Sequence, residues 1–167
     1  MQIDDFHWQR ELIIKTPCLD RRSALHTIAE DLSERSGIEV RDLFEALEVR
    51  EALGSTGFGG GFALPHALVP ALRSPVKVLM TLRNGIDFSS PDDRPVDILL
   101  AVLWPRGEHQ GFLPALAKLC RPFRSVRVLD GLRGAQSRTE AMMVLQMFTS
   151  PEGLPSLNRK VVGEKAI

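Results

Sequence analysis

The segment from Val96 to Leu103 is apolar at every position except Asp97. A strand covered on one face alternates apolar and polar side chains, whereas a strand covered on both faces is apolar throughout. The run is too short for a membrane-spanning helix, which needs about 20 apolar residues. It therefore predicts a central strand in a sheet that is packed on both faces.

Helical periodicity marks the chain on both sides of this strand. A helix is predicted to start after Asp20, its N-cap, and to end at Gly37, and a second is predicted from about residue 40 to residue 53. Their apolar stripes are Ala24, Leu25, Ile28, Ala29 and Leu32, and Val40, Leu43, Phe44 and Leu47. Further helices are predicted at 126–132 and 139–148. Another helix is predicted to end before Pro122, and its buried face should consist of Leu113, Leu116, Ala117 and Cys120.

Short apolar segments predict further strands at 11–15, 62–64 and 76–82. A turn is predicted at Asn84–Gly85, and a loop at 105–111. With helices on both sides of the sheet, the expected fold is α/β: a three-layer α/β/α sandwich with a small mixed sheet in a single domain. That domain is predicted to cover 8–150. Residues 151–167 are rich in Pro, Gly, Ser and Lys and predict a loose C-terminal tail.

A glycine-rich segment follows the second predicted helix. Five glycines fall between residues 54 and 61. Glycine can adopt positive φ, and consecutive amides that turn inward form a concave nest for an anion. Ser55 and Thr56 add hydroxyl donors, and Arg50 adds a planar charged fork suited to phosphate oxygens. The segment therefore suggests a binding site for a phosphoryl group.

The candidate nucleophile is His66, because its unperturbed pKa of about 6.5 leaves it largely neutral at pH 7. Pro65 precedes it and should stiffen its approach, which helps to hold the imidazole in one pose. Other interpretations stay open at this point. Glycine-rich loops and Ser-Thr pairs are common turn and cap residues, and Arg50 could serve to neutralise the negative end of a helix.

Known nucleotide-binding motifs do not fit the glycine segment. Gly54 and Gly59 have the spacing of a P-loop, but Gly60–Gly61 follow in place of Lys-Ser. Phe62 stands where a dinucleotide-binding loop requires its third glycine. The segment is therefore expected to hold a phosphoryl group and not a nucleotide.

The stretch Arg-Glu-x-x-Gly-Ser-Thr-Gly-x-Gly-x-Gly-x-Ala-x-Pro-His, residues 50–66, resembles the active-site signature of type-2 enzyme IIA of the phosphotransferase system, the fructose/mannitol class. The resemblance extends from about residue 8 to residue 150. The segment Leu-Arg-Gly-Ala-Gln-Ser at 132–137 is most similar to the nitrogen-regulatory branch.

The resemblance implies that His66 takes a phosphoryl group from a histidine phosphocarrier protein and that Arg50 faces the phosphohistidine. The predicted phosphoryl-binding residues are Ser55, Thr56, Gly57 and Gly59. Neither a cofactor nor a metal ion is predicted. The four histidines lack metal-ligand spacing, and the two cysteines are far apart in sequence, as expected of reduced thiols.

The chain departs from the family pattern around the expected second histidine. The nitrogen-regulatory branch commonly carries a His-Leu pair at the start of the helix after the central strand, and here Phe112 precedes Leu113. His109 is a possible accessory residue if its loop folds over the site; otherwise it is a solvated loop histidine. Phe112 is expected to form an apolar wall. Further departures are Gly60, where asparagine is usual, and Leu68, where a basic residue is common.

Charge and hydropathy limit the possible functions. Lysine plus arginine equals aspartate plus glutamate, with 21 of each, and this balance gives no support for nucleic-acid binding. Residues 1–6 form no apolar signal core, so we expect a cytoplasmic protein without membrane insertion.

The expected function is a phosphoacceptor and regulator, whose targets in nitrogen metabolism and potassium homeostasis respond to its phosphorylation state. The alternatives are a sugar-transport IIA that passes the phosphoryl group to a permease IIB domain, and a non-catalytic binding module.

Overall fold

The strand predicted from the apolar run lies inside a six-stranded sheet in the computed structural model. The structure describes residues 11–149, except for the side chains of Glu108, His109 and Thr149. The strands are β1 (Leu12–Thr16), β2 (Gly57–Gly59), β3 (Phe62–Ala63), β4 (His66–Val69), β5 (Val76–Ile86) and β6 (Val96–Pro105). The helices are α1 (Arg21–Ser36), α2 (Val40–Ala52), α3 (Phe112–Cys120), α4 (Val126–Gly134) and α5 (Arg138–Thr149), with 3₁₀ helices at Arg106–Gly111 and Pro122–Arg124.

The sheet is mixed, as predicted. Its order is β1-β5-β6-β3-β2, and β4 also pairs with β6. Strand β6 runs antiparallel to β5 and parallel to both β3 and β4. Every residue of β6 except Asp97 is buried. The prediction of a central strand covered on both faces is therefore confirmed.

Alternate residues of β6 contribute to two separate cores. Leu99 and Leu103 belong to the core shared with α1 and α2, whereas Leu100 and Val102 belong to the core shared with α3, α4 and α5. Burial of one such side chain contributes about 1.5–3 kcal/mol relative to its exposure. Helices therefore cover both faces of the sheet, and the predicted three-layer α/β/α fold is confirmed.

Helix α1 has the ends that its sequence predicted. The Asp20 side chain accepts the Ser23 N–H at 2.7 Å, and Ser23 Oγ in turn accepts the Asp20 N–H at 3.1 Å, forming a capping box. Gly37 ends the helix with φ of 71°. Helix α2 then places the buried Leu43 and Leu47 against the sheet, so that its last turn points to the edge formed by β4.

Strands β3 and β4 both pair with β6, and they do so in one continuous register. Phe62 pairs with Ile98 and His66 with Val102, so the offset between the paired residues is unchanged. Pro65 lies between the two strands, and although it lacks an N–H donor, its carbonyl accepts the Val102 N–H at 2.9 Å. His66 therefore begins a strand at a fixed position along β6.

Two local predictions are wrong. The predicted turn at Asn84–Gly85 is part of β5, which continues past an irregularity to the pairing of Ile86 with Val96. Gly85 is required there by close packing, since a Cβ on it would lie 2.8 Å from the Pro95 Cβ. The predicted 105–111 loop is a 3₁₀ helix after Pro105.

The inward face of α3 also differs from the prediction. Leu113 is 71% exposed and Ala117 is exposed, while Ala115 and Leu119 are buried. The helix begins with the buried ring of Phe112, which sets this phase. The predicted domain limits at 8 and 150 and the predicted tail at 151–167 lie outside the described residues. Among residues 11–149, no helix is long and apolar enough to cross a membrane.

Candidate active site

A cleft of about 600 Å³ opens between α2, β4 and the start of α3. One face of α2 lines it with residues three or four positions apart, which therefore share that face. These are Asp42, Glu45, Ala46, Val49 and Arg50, and Leu53 continues the same face just after the helix end. The other lining residues are His66, Ala67, Leu68, Arg106 and Phe112. The cleft thus contains the predicted nucleophile and the predicted arginine.

Arg50 lies in the last turn of α2, where the sequence predicted it. Its Nη1 donates to the Gly54 carbonyl at 3.0 Å, just beyond the helix end. Its Nε donates to His66 Nε2, also at 3.0 Å. The guanidinium therefore compensates the helix end, as the simpler interpretation expected, and also faces the imidazole.

The contacts of the His66 ring determine its tautomer. Nδ1 lies 2.8 Å from the Leu64 carbonyl oxygen, which can only accept, so Nδ1 carries the proton. Arg50 Nε can only donate, so Nε2 holds the lone pair. The nitrogen that faces the guanidinium is therefore the nucleophilic one.

Partial burial lowers the pKa of His66 from its ordinary value of 6.5, because desolvation disfavours the imidazolium. The Leu64 carbonyl opposes this change by accepting from the ring. The Arg50 guanidinium lowers the pKa further, and the Glu51 carboxylate raises it. Since the net shift is downward, the ring is neutral and nucleophilic at neutral pH.

An apolar wall faces the imidazole. The Phe112 ring centroid lies 5.7 Å from that of His66, and the Trp104 ring lies 5.9 Å beyond Phe112. Phe112 is 8% exposed and belongs to the core below α3. Such a wall lowers the local dielectric constant and strengthens the remaining polar contacts.

The hydroxyls of Ser55 and Thr56 donate to protein acceptors in this structure. Ser55 Oγ donates to the Phe88 carbonyl, and its oxygen accepts the Gly57 N–H at 3.0 Å. Thr56 is buried, and its hydroxyl donates to the Glu51 carboxylate at 2.6 Å. Both hydroxyls are therefore engaged in holding the loop together.

The glycine segment forms the hairpin β2–β3, with positive φ at Gly59, Gly60 and Gly61. The Asp92 carboxylate accepts the Gly60 N–H at 2.7 Å, and this bond lowers the pKa of Asp92. The anion bound to the glycine turn is therefore a side chain of the protein. Among the described residues, none from 55 to 61, including Gly57 and Gly59, lines the cleft around His66.

An ion pair holds the other side of the hairpin. Arg133 donates to both oxygens of Asp97, at 2.8 and 2.9 Å, and to the Gly60 carbonyl at 2.6 Å. The single charged residue of the central strand thus has its partner on α4. Its role is to hold the hairpin against the sheet.

Comparison with known proteins is consistent with this arrangement. The family described as "Phosphoenolpyruvate-dependent sugar phosphotransferase system, EIIA 2" matches residues 8–147. The chain belongs to this family. Its members carry phosphoryl transfer through a histidine, and this general kind of reaction is therefore that of the chain.

The named relatives point to the nitrogen-regulatory branch. The "Nitrogen regulatory protein homolog" of Haemophilus influenzae is 34% identical over 132 residues, 78% of this chain and 79% of the relative. The "Nitrogen regulatory protein" of Escherichia coli K12 is 34% identical over 140 residues, 83% of each chain. The crystal structure of nitrogen regulatory protein IIA-Ntr from Neisseria meningitidis superposes with a TM-score of 0.77 at 26% identity, covering 82% of this chain and 94% of that one.

Within the EIIA 2 fold, Phe112 takes the place at which the sequence resemblance expected a second histidine, and it packs against His66. The side chain of His109, the other possible accessory residue, lies outside the described part of the structure. The accessory role of His109 therefore stays a prediction. Among the side chains that the structure describes, no three His, Cys, Asp or Glu residues are grouped to hold a metal ion.

Sequence reasoning missed Glu51 and Asp92. Glu51 lies in the last turn of α2, where an acid is unfavourable to the helix dipole. Its presence there was a signal that it has a tertiary partner, Thr56. Asp92 gave no such signal, because acidic residues are common in turns.

Proposed function

We propose that Nε2 of His66 accepts a phosphoryl group from a histidine phosphocarrier protein, and that the phosphorylation state of the chain regulates the proteins that it binds. The observation that supports this most directly is the unprotonated Nε2, which faces a guanidinium in an open cleft. Membership of the EIIA 2 family supports the reaction type.

The transfer requires no base, because the attacking nitrogen carries no proton. The Nε2 lone pair forms a bond to phosphorus while the bond between phosphorus and the donor imidazole breaks, and that electron pair returns to the donor nitrogen. The proton stays on Nδ1, which continues to donate its hydrogen bond to the Leu64 carbonyl. That carbonyl and the nearby Glu51 carboxylate favour the positive charge that develops on the ring.

Arg50 provides the positive charge for the transferred group. A phosphoryl group carries about −2 charge, and bonds from a guanidinium to it are stronger than neutral hydrogen bonds. Attack by Nε2 releases the Arg50 Nε–H from the imidazole, and this donor then bonds to a phosphoryl oxygen. The binding role predicted for Ser55, Thr56, Gly57 and Gly59 stays a prediction, and the proposal does not depend on it.

The surface around the cleft is suited to a protein partner. Three of its lining side chains are apolar and exposed: Val49 at 59%, Leu53 at 82% and Leu68 at 37%. Apolar side chains grouped around a reactive centre indicate a surface that another protein covers. We propose that the phosphocarrier and the regulatory targets use this surface in turn, and that a phosphoryl group within it changes the affinity for the targets.

The proposed targets are proteins of nitrogen metabolism and potassium homeostasis, and the proposed location is the cytoplasm. The similarity to relatives named nitrogen regulatory proteins supports the nitrogen targets, and the potassium targets rest on the family resemblance alone. The alternative is transfer to a permease IIB domain, because the matched family is described as a sugar phosphotransferase system.

The test is phosphorylation by a phosphocarrier system supplied with labelled phosphoenolpyruvate. We expect an acid-labile, alkali-stable phosphoprotein, with coupling between phosphorus and Nε2 in ¹⁵N-resolved NMR spectra. Labelling at another residue or at Nδ1 would contradict the proposal. Rapid transfer from the labelled protein to an added IIB domain would favour the transport alternative, whereas retention of the label with altered target binding would favour regulation.

A further inference from the structure

Glu51, the residue that follows Arg50 in the chain, has a buried carboxylate. Glu51 is 5% exposed, and an ionised carboxylate in such a position needs hydrogen bonds. It accepts the Thr56 backbone N–H at 2.9 Å and the Thr56 hydroxyl at 2.6 Å. Among the described residues, the cation paired with it is Arg21, whose Nη1 lies 3.9 Å away. Thr56 is therefore its principal partner.

The two bonds to Thr56 close the turn that follows α2. At the start of the turn, the Glu51 backbone carbonyl accepts the Gly54 N–H at 3.1 Å. At its end, the Glu51 side chain holds both donors of Thr56. The same residue thus fixes both sides of Gly54, whose φ is 148°.

The Gly54 carbonyl then orients the guanidinium. It accepts Arg50 Nη1 at 3.0 Å, while Arg50 Nε donates to His66 at 3.0 Å. A guanidinium is planar, so fixing Nη1 limits the directions in which Nε–H can point. Once Nε2 carries a phosphoryl group, Arg50 Nε loses its acceptor on the ring, and the bond to Gly54 is the contact that still orients the fork.

We infer that Glu51 is a positioning residue, whose buried carboxylate, through Thr56 and the Gly54 carbonyl, holds the Arg50 guanidinium in its orientation toward Nε2 of His66. The kinetic part of this inference rests on the proposed phosphoryl transfer. The structural part, the orientation of Arg50, can be measured without any donor.

The Asp97–Arg133 pair offers a matched control. Its arginine also holds a carbonyl of the segment between α2 and β3, since Arg133 Nη2 donates to the Gly60 carbonyl while the partly buried Asp97 carboxylate fixes Arg133. Neither member lines the cleft or contacts Arg50 or His66 among the described residues. Its loss should affect the stability of the hairpin and leave the orientation of Arg50 unchanged.

The first experiment compares Glu51→Gln, Thr56→Val, Thr56→Ser and Asp97→Asn by ¹H–¹⁵N NMR of the Arg50 Nε–H. In Glu51→Gln and Thr56→Val, the exchange of this proton with water should become about tenfold faster, as expected for loss of one hydrogen bond. Thr56→Ser keeps the hydroxyl, so its Arg50 Nε–H should exchange as slowly as that of the wild type. If exchange in the folded Thr56→Val and Glu51→Gln proteins matches that of the wild type, the inference is wrong.

The second experiment measures phosphorylation as kcat and KM for the phosphocarrier protein. Glu51→Gln and Thr56→Val should lower kcat by about tenfold with KM unchanged, because the docking surface is intact. An equal loss in Asp97→Asn would indicate a general effect of hairpin stability and would overturn the inference. If the wild-type protein takes no label while the Arg50 signal responds as expected, the proposed function fails and the positioning of Arg50 by Glu51 stands.

Discussion

Two regions of the segment 50–66 use charged groups differently: the Arg50–His66 pair, here called the His66 end, and the glycine turn at residues 59–61, here called the glycine end. At the His66 end, a guanidinium and an imidazole that both line an open cleft meet, and Nε2 of the imidazole faces the guanidinium. At the glycine end, the polar groups are bonded within the protein: Asp92 accepts the Gly60 amide and Arg133 donates to the Gly60 carbonyl. In this structure the open cleft lies at the His66 end, and the polar contacts of Gly60 at the glycine end are made within the protein.

The contacts at the glycine end explain why residue 61 is a glycine. A Cβ on Gly61 would lie 2.5 Å from Arg133 Nη2 and 3.0 Å from Asp97 Oδ1, and the residue has φ of 79°. Glycine is needed there because an ion pair packs against the backbone of a turn with positive φ. A glycine-rich segment beside a nucleophile thus reports close packing as readily as it reports an anion site.

The largest expected effect comes from removing the nucleophile. His66→Ala should abolish phosphorylation, because no other imidazole is predicted to accept the group, while the fold is retained. His66→Gln keeps more of the side-chain volume and should be equally inactive. Labelling is measured by autoradiography and folding by circular dichroism. Normal labelling of a folded His66→Ala protein would refute the assignment of the reactive end.

The next effect concerns Arg50. Arg50→Ala should slow phosphorylation by tenfold or more, since charge-assisted bonds contribute about 1.5–3 kcal/mol each. The melting temperature should change little, because a cation at a helix end contributes about 0.3–1 kcal/mol. Arg50→Lys should be intermediate, as lysine keeps the charge but not the fork. A marked loss of stability with unchanged transfer would instead favour a helix-end role for Arg50.

The fold was predictable where a single segment carried the whole pattern. The run from Val96 to Leu103 indicated a central strand without knowledge of its neighbours. The phase of α3 was not predictable in this way, because Leu113, Ala115, Leu116, Ala117 and Leu119 offer apolar stripes in more than one direction. Packing of Phe112 against Trp104 and His66 selects among them, and that choice depends on the tertiary structure.

The site was predictable to the same extent. Arg50 and His66 were identified because both belong to one short signature, and the structure brings them together. The partners of Thr56 and Gly60 could not be assigned from that signature. Gly60 bonds to a carboxylate 32 positions away, and although Glu51 belongs to the signature, the signature does not say which group its carboxylate binds.

A smaller effect, confined to stability, is expected at the glycine end. Gly61→Ala should lower the free energy of unfolding by about 1–2 kcal/mol for its positive φ, with a further loss where the Cβ displaces Arg133. Gly37→Ala is the control for backbone strain alone, because Gly37 has φ of 71° and open space around its Cβ position. Denaturant unfolding curves give both values.

The comparison between the two ends predicts a further property of Gly61→Ala. The folded variant should phosphorylate at the wild-type rate, with the Arg50–His66 contact unchanged in NMR spectra. A rate that falls in proportion to the lost stability would show that the two ends are coupled and that their separation is not functional.

The smallest effect is the pH dependence that His66 gives to stability. Burial lowers the pKa of His66 in the folded protein below 6.5, so the unfolded chain binds a proton more readily at this position. The contribution of His66 to stability is therefore complete above pH 6.5 and is lost as the pH falls toward the folded-state pKa. Unfolding curves of the wild type and of His66→Gln should converge as the pH is lowered through this range.

Because the Arg50 guanidinium also lowers the pKa of His66, Arg50→Ala should raise that pKa in an NMR titration of the ring. Arg106→Ala, which alters the same cleft but removes none of the groups that shift this pKa, should leave it in place. If both variants moved the pKa of His66 equally, the imidazole would be responding to the overall charge of the cleft, and a specific pairing of Arg50 with Nε2 would not be needed to explain the site.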